Sequence, residues 1–167
     1  MAGMMDQLVE ILTEQTTRYQ ELLGLSKEKR DVIIENDVEQ LQKINHLENM
    51  VISQNQKLEK KRLELVADMA IVLNQKETEL TLPRMIELME GQAEQKPLME
   101  AHEKIKTVLE ELREINQQNG QLVQNALDYI EFSTNLMRSS SGQQPATYLP
   151  GTDDMLYDQE SYFDTKN

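Results

Sequence analysis

Thirty acidic side chains against 17 basic ones give this 167-residue chain a formal net charge of −13. That balance repels a phosphate backbone, and no lysine or arginine stripe offsets it locally, so nucleic acid is excluded as an expected partner. The absence of cysteine excludes disulfides and thiolate chemistry. With no Trp, five Tyr and two Phe, the core has to be built from Leu, Ile, Val and Met. The longest apolar run, 69–73, is far short of the roughly 20 residues of a membrane span. The N-terminus lacks the basic and apolar blocks of a signal peptide, so a cytoplasmic protein without stable membrane insertion is expected.

Between residues 4 and 138 the only prolines are Pro83 and Pro97, which permits long helices almost everywhere else. The first element places Met5, Leu8, Leu12, Gln15, Tyr19, Leu22, Ser26, Lys29 and Ile33 on one heptad seam, predicting a helix over about 4–35. Polar Ser26 and Lys29 weaken its second half.

A second seam runs through Leu41, Ile44, Glu48, Val51, Asn55, Leu58, Arg62, Leu65, Met69 and Val72, one residue out of phase with the first. The slip falls on Asn36-Asp37. Asn can close a helix in the left-handed conformation, and Asp37 can cap the next helix with Gln40 at N3. A tight turn between antiparallel helices is the favoured reading, and a single kinked helix is the alternative. Glu48, Asn55 and Arg62 take successive a positions in the second helix. They either specify register or leave a loosely packed middle that opens for a partner.

The second helix is expected to fray after Gln75. Thr81-Leu-Pro-Arg-Met-Ile-Glu-Leu-Met-Glu-Gly91 then reads as a short helix, with Pro83 in its first turn and Gly91 closing it, that covers one end of the bundle. Most methionines read as core filler, but Met85, Met89, Met99 and Met137 are candidates for an exposed patch.

The last long helix starts around Lys96-Pro97 and continues to about Arg138, a rod of roughly 60 Å at the α-helical rise. Its seam alternates steps of three and four through Leu98, Ala101, Ile105, Val108, Leu112, Ile115, Asn119, Leu122, Ala126, Tyr129, Ser133 and Leu136. The neighbouring e positions are mostly apolar as well, Leu109, Val123, Ile130 and Met137, with Asn116 the exception. A coiled-coil stripe uses only a and d, so this face is too wide for one partner helix. The excess is greatest between 112 and 130. Asn119-Gly120 interrupts it, serving either a close backbone approach or flexibility, since a mid-helix glycine costs about 1 kcal/mol relative to alanine.

After Arg138 the composition turns to Ser, Gly, Gln and Pro and then to an acidic terminus. Asp153, Asp154, Asp158, Glu160 and Asp164 against Lys166 give this tail −4, and disorder is expected for it in isolation. Yet it carries Tyr148, Tyr157, Tyr162 and Phe163, four of the seven aromatics. A contact motif of Tyr148, Leu149, Tyr157, Tyr162 and Phe163, or self-docking, is the reading for them.

Catalysis needs a nucleophile with a base, an acid and base pair or a metal cluster in a pocket, and the sequence presents none. His46 and His102 stand without a second ligand at metal spacing and read as surface residues. The carboxylates lie on polar helix faces, and the glycines are scattered rather than gathered in a phosphate loop. The expectation is therefore a non-enzymatic protein with no catalytic, cofactor or metal residues. Its architecture is all-α: an elongated, coiled-coil-like antiparallel bundle of three long helices and one short connecting helix over 1–138, with a flexible tail over 139–167.

Three stretches then resemble a known family. They are Leu22-Leu-Gly-Leu-Ser-Lys-Glu-Lys-Arg-Asp-Val-Ile-Ile-Glu-Asn-Asp-Val-Glu-Gln-Leu41, Thr81-Leu-Pro-Arg-Met-Ile-Glu-Leu88 and Glu114-Ile-Asn-Gln-Gln-Asn-Gly-Gln-Leu-Val123. In this order, over about residues 5–137, the chain resembles the FlgN-type flagellar export chaperones. The resemblance implies a cytoplasmic, cofactor-free helical chaperone. Such a protein binds the C-terminal regions of hook-filament junction proteins, prevents their premature assembly and delivers them to the flagellar type III export apparatus. It also implies that the C-terminal part carries much of client binding, in agreement with the oversized face. The candidate client site is Leu112, Ile115, Asn119, Leu122, Val123, Ala126, Leu127, Tyr129 and Ile130. The alternative is a self-associating coiled-coil scaffold, such as a homodimer, in which this face is buried by the first helix or a second copy.

Overall fold

In the computed structural model, described over residues 2–140, every regular element is helical. The order is α1 (Ala2–Glu35), α2 (Val38–Leu73), a 3-10 turn (Glu77–Glu79), α3 (Leu82–Leu88) and α4 (Gln95–Ser140). The chain divides into two units, Met1–Gln117 and Gln118–Asn167, and α4 contributes to both.

The one-residue slip between the first two seams is a turn. Asn36 takes the left-handed conformation at φ 56°, where asparagine is tolerated and a β-branched residue is strained. The amides of Asn36 and Asp37 donate back to Ile33 O and Val32 O, both at 3.2 Å, which satisfies carbonyls that the end of α1 would leave unpaired. Asp37 then accepts a hydrogen bond from the Gln40 amide at 3.1 Å and caps α2. Chain reversal within two residues makes α1 and α2 neighbours along their length. Their pairing is antiparallel, since Lys29 meets Glu48 while Gln15 meets Glu59.

The same device closes α2 at Leu73, slightly before the expected fraying after Gln75. Asn74 stands at φ 52°, its amide donates to Ile71 O, and Gln75 donates to Ala70 O. Thr81 accepts from the Arg84 amide at 3.3 Å and caps α3, with Pro83 in the first turn as expected. The chain leaves this region through Gly91 at φ 78°, and Gln95 at the start of α4 donates to Ile86 O at 3.2 Å.

The core of the first unit gathers Met5, Leu8 and Leu12 of α1, Val66, Met69 and Ala70 of α2, and Leu98, Ala101 and Ile105 of α4. Leu80, Met85 and Met89 complete it from the connecting region. The short helix thus covers one end of this core, but Met85 and Met89 correct the expectation of an exposed methionine patch: both are buried, because α3 turns its apolar side inward. Met99 and Met137 are exposed.

Further along the first unit the interior becomes polar. Lys29 Nζ lies 3.1 Å from Glu48 Oε2, and Ser26 Oγ donates to Asn116 Oδ1 at 3.2 Å. Gln15 Nε2 donates to Glu59 Oε2 at 2.9 Å, and Arg62 grips both oxygens of the same carboxylate at 2.9 and 2.7 Å. Of the three polar a positions in α2, Glu48 and Arg62 therefore have ionic partners. Asn55 is buried, and its Oδ1 has no hydrogen-bond partner among the described residues.

Candidate functional site

The residues of α4 singled out by sequence separate into two groups. Leu112 and Ile115 belong to the first unit, where Leu112 is half-buried and Ile115 is a core residue at 6% exposure. Ile115 is thus not offered on the surface. In the second unit Asn119 is buried and Leu122, Val123, Ala126 and Leu127 are half-buried, whereas Tyr129 and Ile130 are 71% and 59% exposed.

Exposure also brings in side chains outside that set. Phe132 and Leu136 are exposed at 62% and 52%. Phe132 takes the g position of the heptad, on the flank opposite the apolar e residues. An aromatic at g beside apolar a, d and e positions was the available signal that the stripe widens on both sides.

At 100° per residue, the arc from Phe132 through Leu136, Tyr129 and Ala126 to Ile130 and Leu127 covers more than half the helix circumference. Asp128, Glu131 and Arg138 fall on the remaining arc. Gln121 Nε2 donates to Asn125 Oδ1, beside Phe132 at the edge of the apolar arc, at 3.1 Å, and Gln124 Nε2 donates to Asp128 Oδ1 on the remaining arc at 3.0 Å. Thr134 Oγ1 donates to Ile130 O at 2.8 Å. These polar side chains are bonded within the helix, and the apolar arc, which holds no charged residue, makes no charged demand on whatever lies against it. A Cβ added at Gly120 would meet nothing within 4 Å, so close approach does not explain that glycine.

Such a surface binds by excluding water from apolar area, with shape rather than charge selecting the partner. The ionisable groups with displaced proton affinities lie elsewhere. The Arg62 hydrogen bonds hold the Glu59 carboxyl below the usual carboxylate range, with Gln15 adding to the effect against partial desolvation, and Glu59 in turn raises the Arg62 guanidinium. Both belong to an i,i+3 ion pair within α2, to which Gln15 of α1 donates a further hydrogen bond. His46 is exposed and His102 half-buried, and no group of three or more His, Cys, Asp or Glu positioned to hold a metal occurs among the described residues. Two surface hollows, one around Glu39, Lys43 and His46 and one around Glu10, Glu14 and Lys61, are open to solvent. No described helix is long and apolar enough to cross a membrane. The tail residues Tyr148, Leu149, Tyr157, Tyr162 and Phe163 lie outside the described residues.

No curated protein and no solved structure matches the chain. A family model does: the one described as FlgN protein matches residues 1–151, covering α1 to α4 and running beyond the end of α4. By this match over most of its length, the chain belongs to the FlgN family of flagellar chaperones.

Proposed function

We propose that the chain is a cytoplasmic, non-enzymatic export chaperone that uses no cofactor. It binds the C-terminal helical segments of hook-filament junction proteins and keeps them from assembling early. It then hands them to the flagellar type III export apparatus. Residues 1–138 form the chaperone domain, an antiparallel bundle of three long helices with α3 at one end, and 139–167 form a tail. The observation that carries this reading is the exposed, uncharged arc of Tyr129, Ile130, Phe132 and Leu136. In a free monomer an apolar surface of this kind marks an interaction site.

The client lays an amphipathic segment along this arc, with Leu122, Val123, Ala126 and Leu127 at its margin. Leu112, Ile115 and Asn119 support the face from within the helix rather than touch the client. Burial of a few hundred Å² at ~25 cal/mol per Å² gives several kcal/mol before ordering costs, which places affinity in the micromolar to submicromolar range. That range suits capture followed by release. Calorimetry with a C-terminal segment of a hook-filament junction protein tests it. Val123→Asp and Ile130→Asp variants that keep their helicity lose binding, and unchanged affinity in both rejects this face.

A second reading has its own observation. Leu122, Tyr129 and Leu136 repeat at seven-residue spacing, which also suits pairing with a second copy. Light scattering separates the two: a constitutive dimer without client affinity makes the chain a scaffold.

A further inference from the structure

The last helix changes character at Asn119-Gly120. Up to that point its seam is held by burial, since Leu98, Ala101, Ile105, Val108, Ile115 and Asn119 are all buried. From Gly120 to Ser139 no residue of α4 is buried. The side-chain hydrogen bonds of Gln121, Gln124, Thr134 and Ser139 there close on neighbours three or four residues away in the same helix. The boundary between the two units falls just before this point, after Gln117.

Most helical stability in proteins comes from the packing of one face, and a helix of about 20 residues left without it needs strong helix formers to persist in water. This segment is short of them. Val123, Tyr129, Ile130, Phe132 and Thr134 lose rotamer freedom against the preceding turn, and Ser133 competes for backbone hydrogen bonds. Gly120 stands at the base of the segment, and an added Cβ there would meet nothing within 4 Å. Its remaining physical effect is on the backbone: glycine gains more freedom than any other residue on leaving a helix, and Asn-Gly is a sequence at which a helix stops. Gly24 of α1 is equally unobstructed, but Leu22, Leu23 and Ser26 are buried on both sides of it, so packing carries that helix through its glycine.

We propose that in the free protein the firmly held part of α4 ends at Asn119-Gly120, that residues 121–139 exchange between helix and coil, and that a partner covering Tyr129, Ile130, Phe132 and Leu136 makes the helix continuous. The first half rests on the fold alone. The second half rests on the client reading and deepens it: the client helps to assemble the face that it occupies. Part of the contact energy then goes into ordering the segment, which lowers affinity and favours release.

Amide hydrogen exchange of the full-length chain, followed residue by residue, tests both halves. In the free chain the amides of 121–139 are expected to be at least ~100-fold less protected than those of 105–118, with the step at Gly120. Protection that continues undiminished across Gly120, or that declines evenly toward Ser140, overturns the first half. Gly120→Ala is expected to raise protection beyond residue 120 about fivefold while leaving 105–118 unchanged. No change in that variant overturns the assignment of the break to this glycine. With a C-terminal segment of a hook-filament junction protein bound, protection is expected to extend through Leu136, and Gly120→Ala binds it about three- to fivefold more tightly than the parent. Unchanged protection in the bound complex overturns the second half. A segment that fails to bind counts against the client assignment instead, and the exchange pattern of the free chain decides the first half without it.

Discussion

Lys29 of α1 and Glu48 of α2 meet at 3.1 Å across the hairpin, with side-chain exposures of 11% and 9%. Two desolvated charges in contact contribute little net stability, but each makes the loss of the other costly. Lys29→Met is therefore expected to destabilise the protein by about 3–5 kcal/mol, because Glu48 is left buried with its main counter-charge gone. Lys29→Met combined with Glu48→Leu restores or exceeds the original stability, since apolar groups fill both positions. Urea denaturation of the two variants at neutral pH measures the contrast. Additive losses would mean that the pair is not the coupled unit its geometry describes.

The turn between α1 and α2 was readable because an eight-residue step in a seven-residue pattern has few solutions, and Asn36-Asp37 is a sequence that ends one helix and starts another. The caps of α3 were legible for the same reason: Thr81 and Pro83 have narrow positional uses. Burial along α4 was not readable. Ile115 and Asn119 share the seam spacing of Leu122 and Tyr129, and periodicity reports that a face exists without reporting where its cover stops. Lys29 misled in the opposite direction. A lysine at a seam position looks like a defect until its counter-charge, nineteen residues away, is seen on the facing helix.

Glu59 gives a pH signature with a definite sign. Its carboxyl is held below the usual glutamate range by Arg62, so the folded state binds this proton less readily than the unfolded chain. The associated stability is fully present above the unfolded value of about 4.3 and is lost as pH falls through the lower folded value. Glu59 is 43% exposed at the side chain, and solvent screening limits its contribution to at most about 1 kcal/mol. Glu59→Gln is expected to be slightly less stable than the parent at pH 7 and indistinguishable from it well below pH 4. Denaturant midpoints across that range test this, and a difference that grows with acidity would reverse the assigned sign.

The hairpin turn separates backbone strain from capping. At φ 56°, Asn36→Val places a β-branched side chain in the left-handed region, at a cost of roughly 1–2 kcal/mol. Asn36→Gly removes the steric restriction and is neutral or mildly stabilising. Asp37→Ala deletes the acceptor for the Gln40 amide and is expected to cost ~1 kcal/mol. Thermal unfolding of the three variants should rank them with Asn36→Gly highest and Asn36→Val lowest. Equal stability for Val and Gly at position 36 would mean that a continuous helix, not this turn, connects α1 to α2.

Ile115 and Phe132 lie on one helix yet are expected to fail differently when changed. Ile115 is a core residue, so Ile115→Ala leaves a cavity and costs about 2–5 kcal/mol of stability. Phe132, exposed at 62%, contributes little to the fold, and Phe132→Ser is expected to stay within about 0.5 kcal/mol of the parent. Binding should invert this order. A large exposed aromatic on an apolar interface is a frequent energetic anchor, and its removal is expected to weaken junction-protein binding by ~2 kcal/mol, roughly thirtyfold. The Ile115 variant should bind nearly as the parent does under conditions where it remains folded. Circular dichroism melts paired with calorimetry give both coordinates for each variant. Should Ile115→Ala lose binding while folded and Phe132→Ser keep it, the contact would lie on the 112–119 stretch and not on the exposed end of α4.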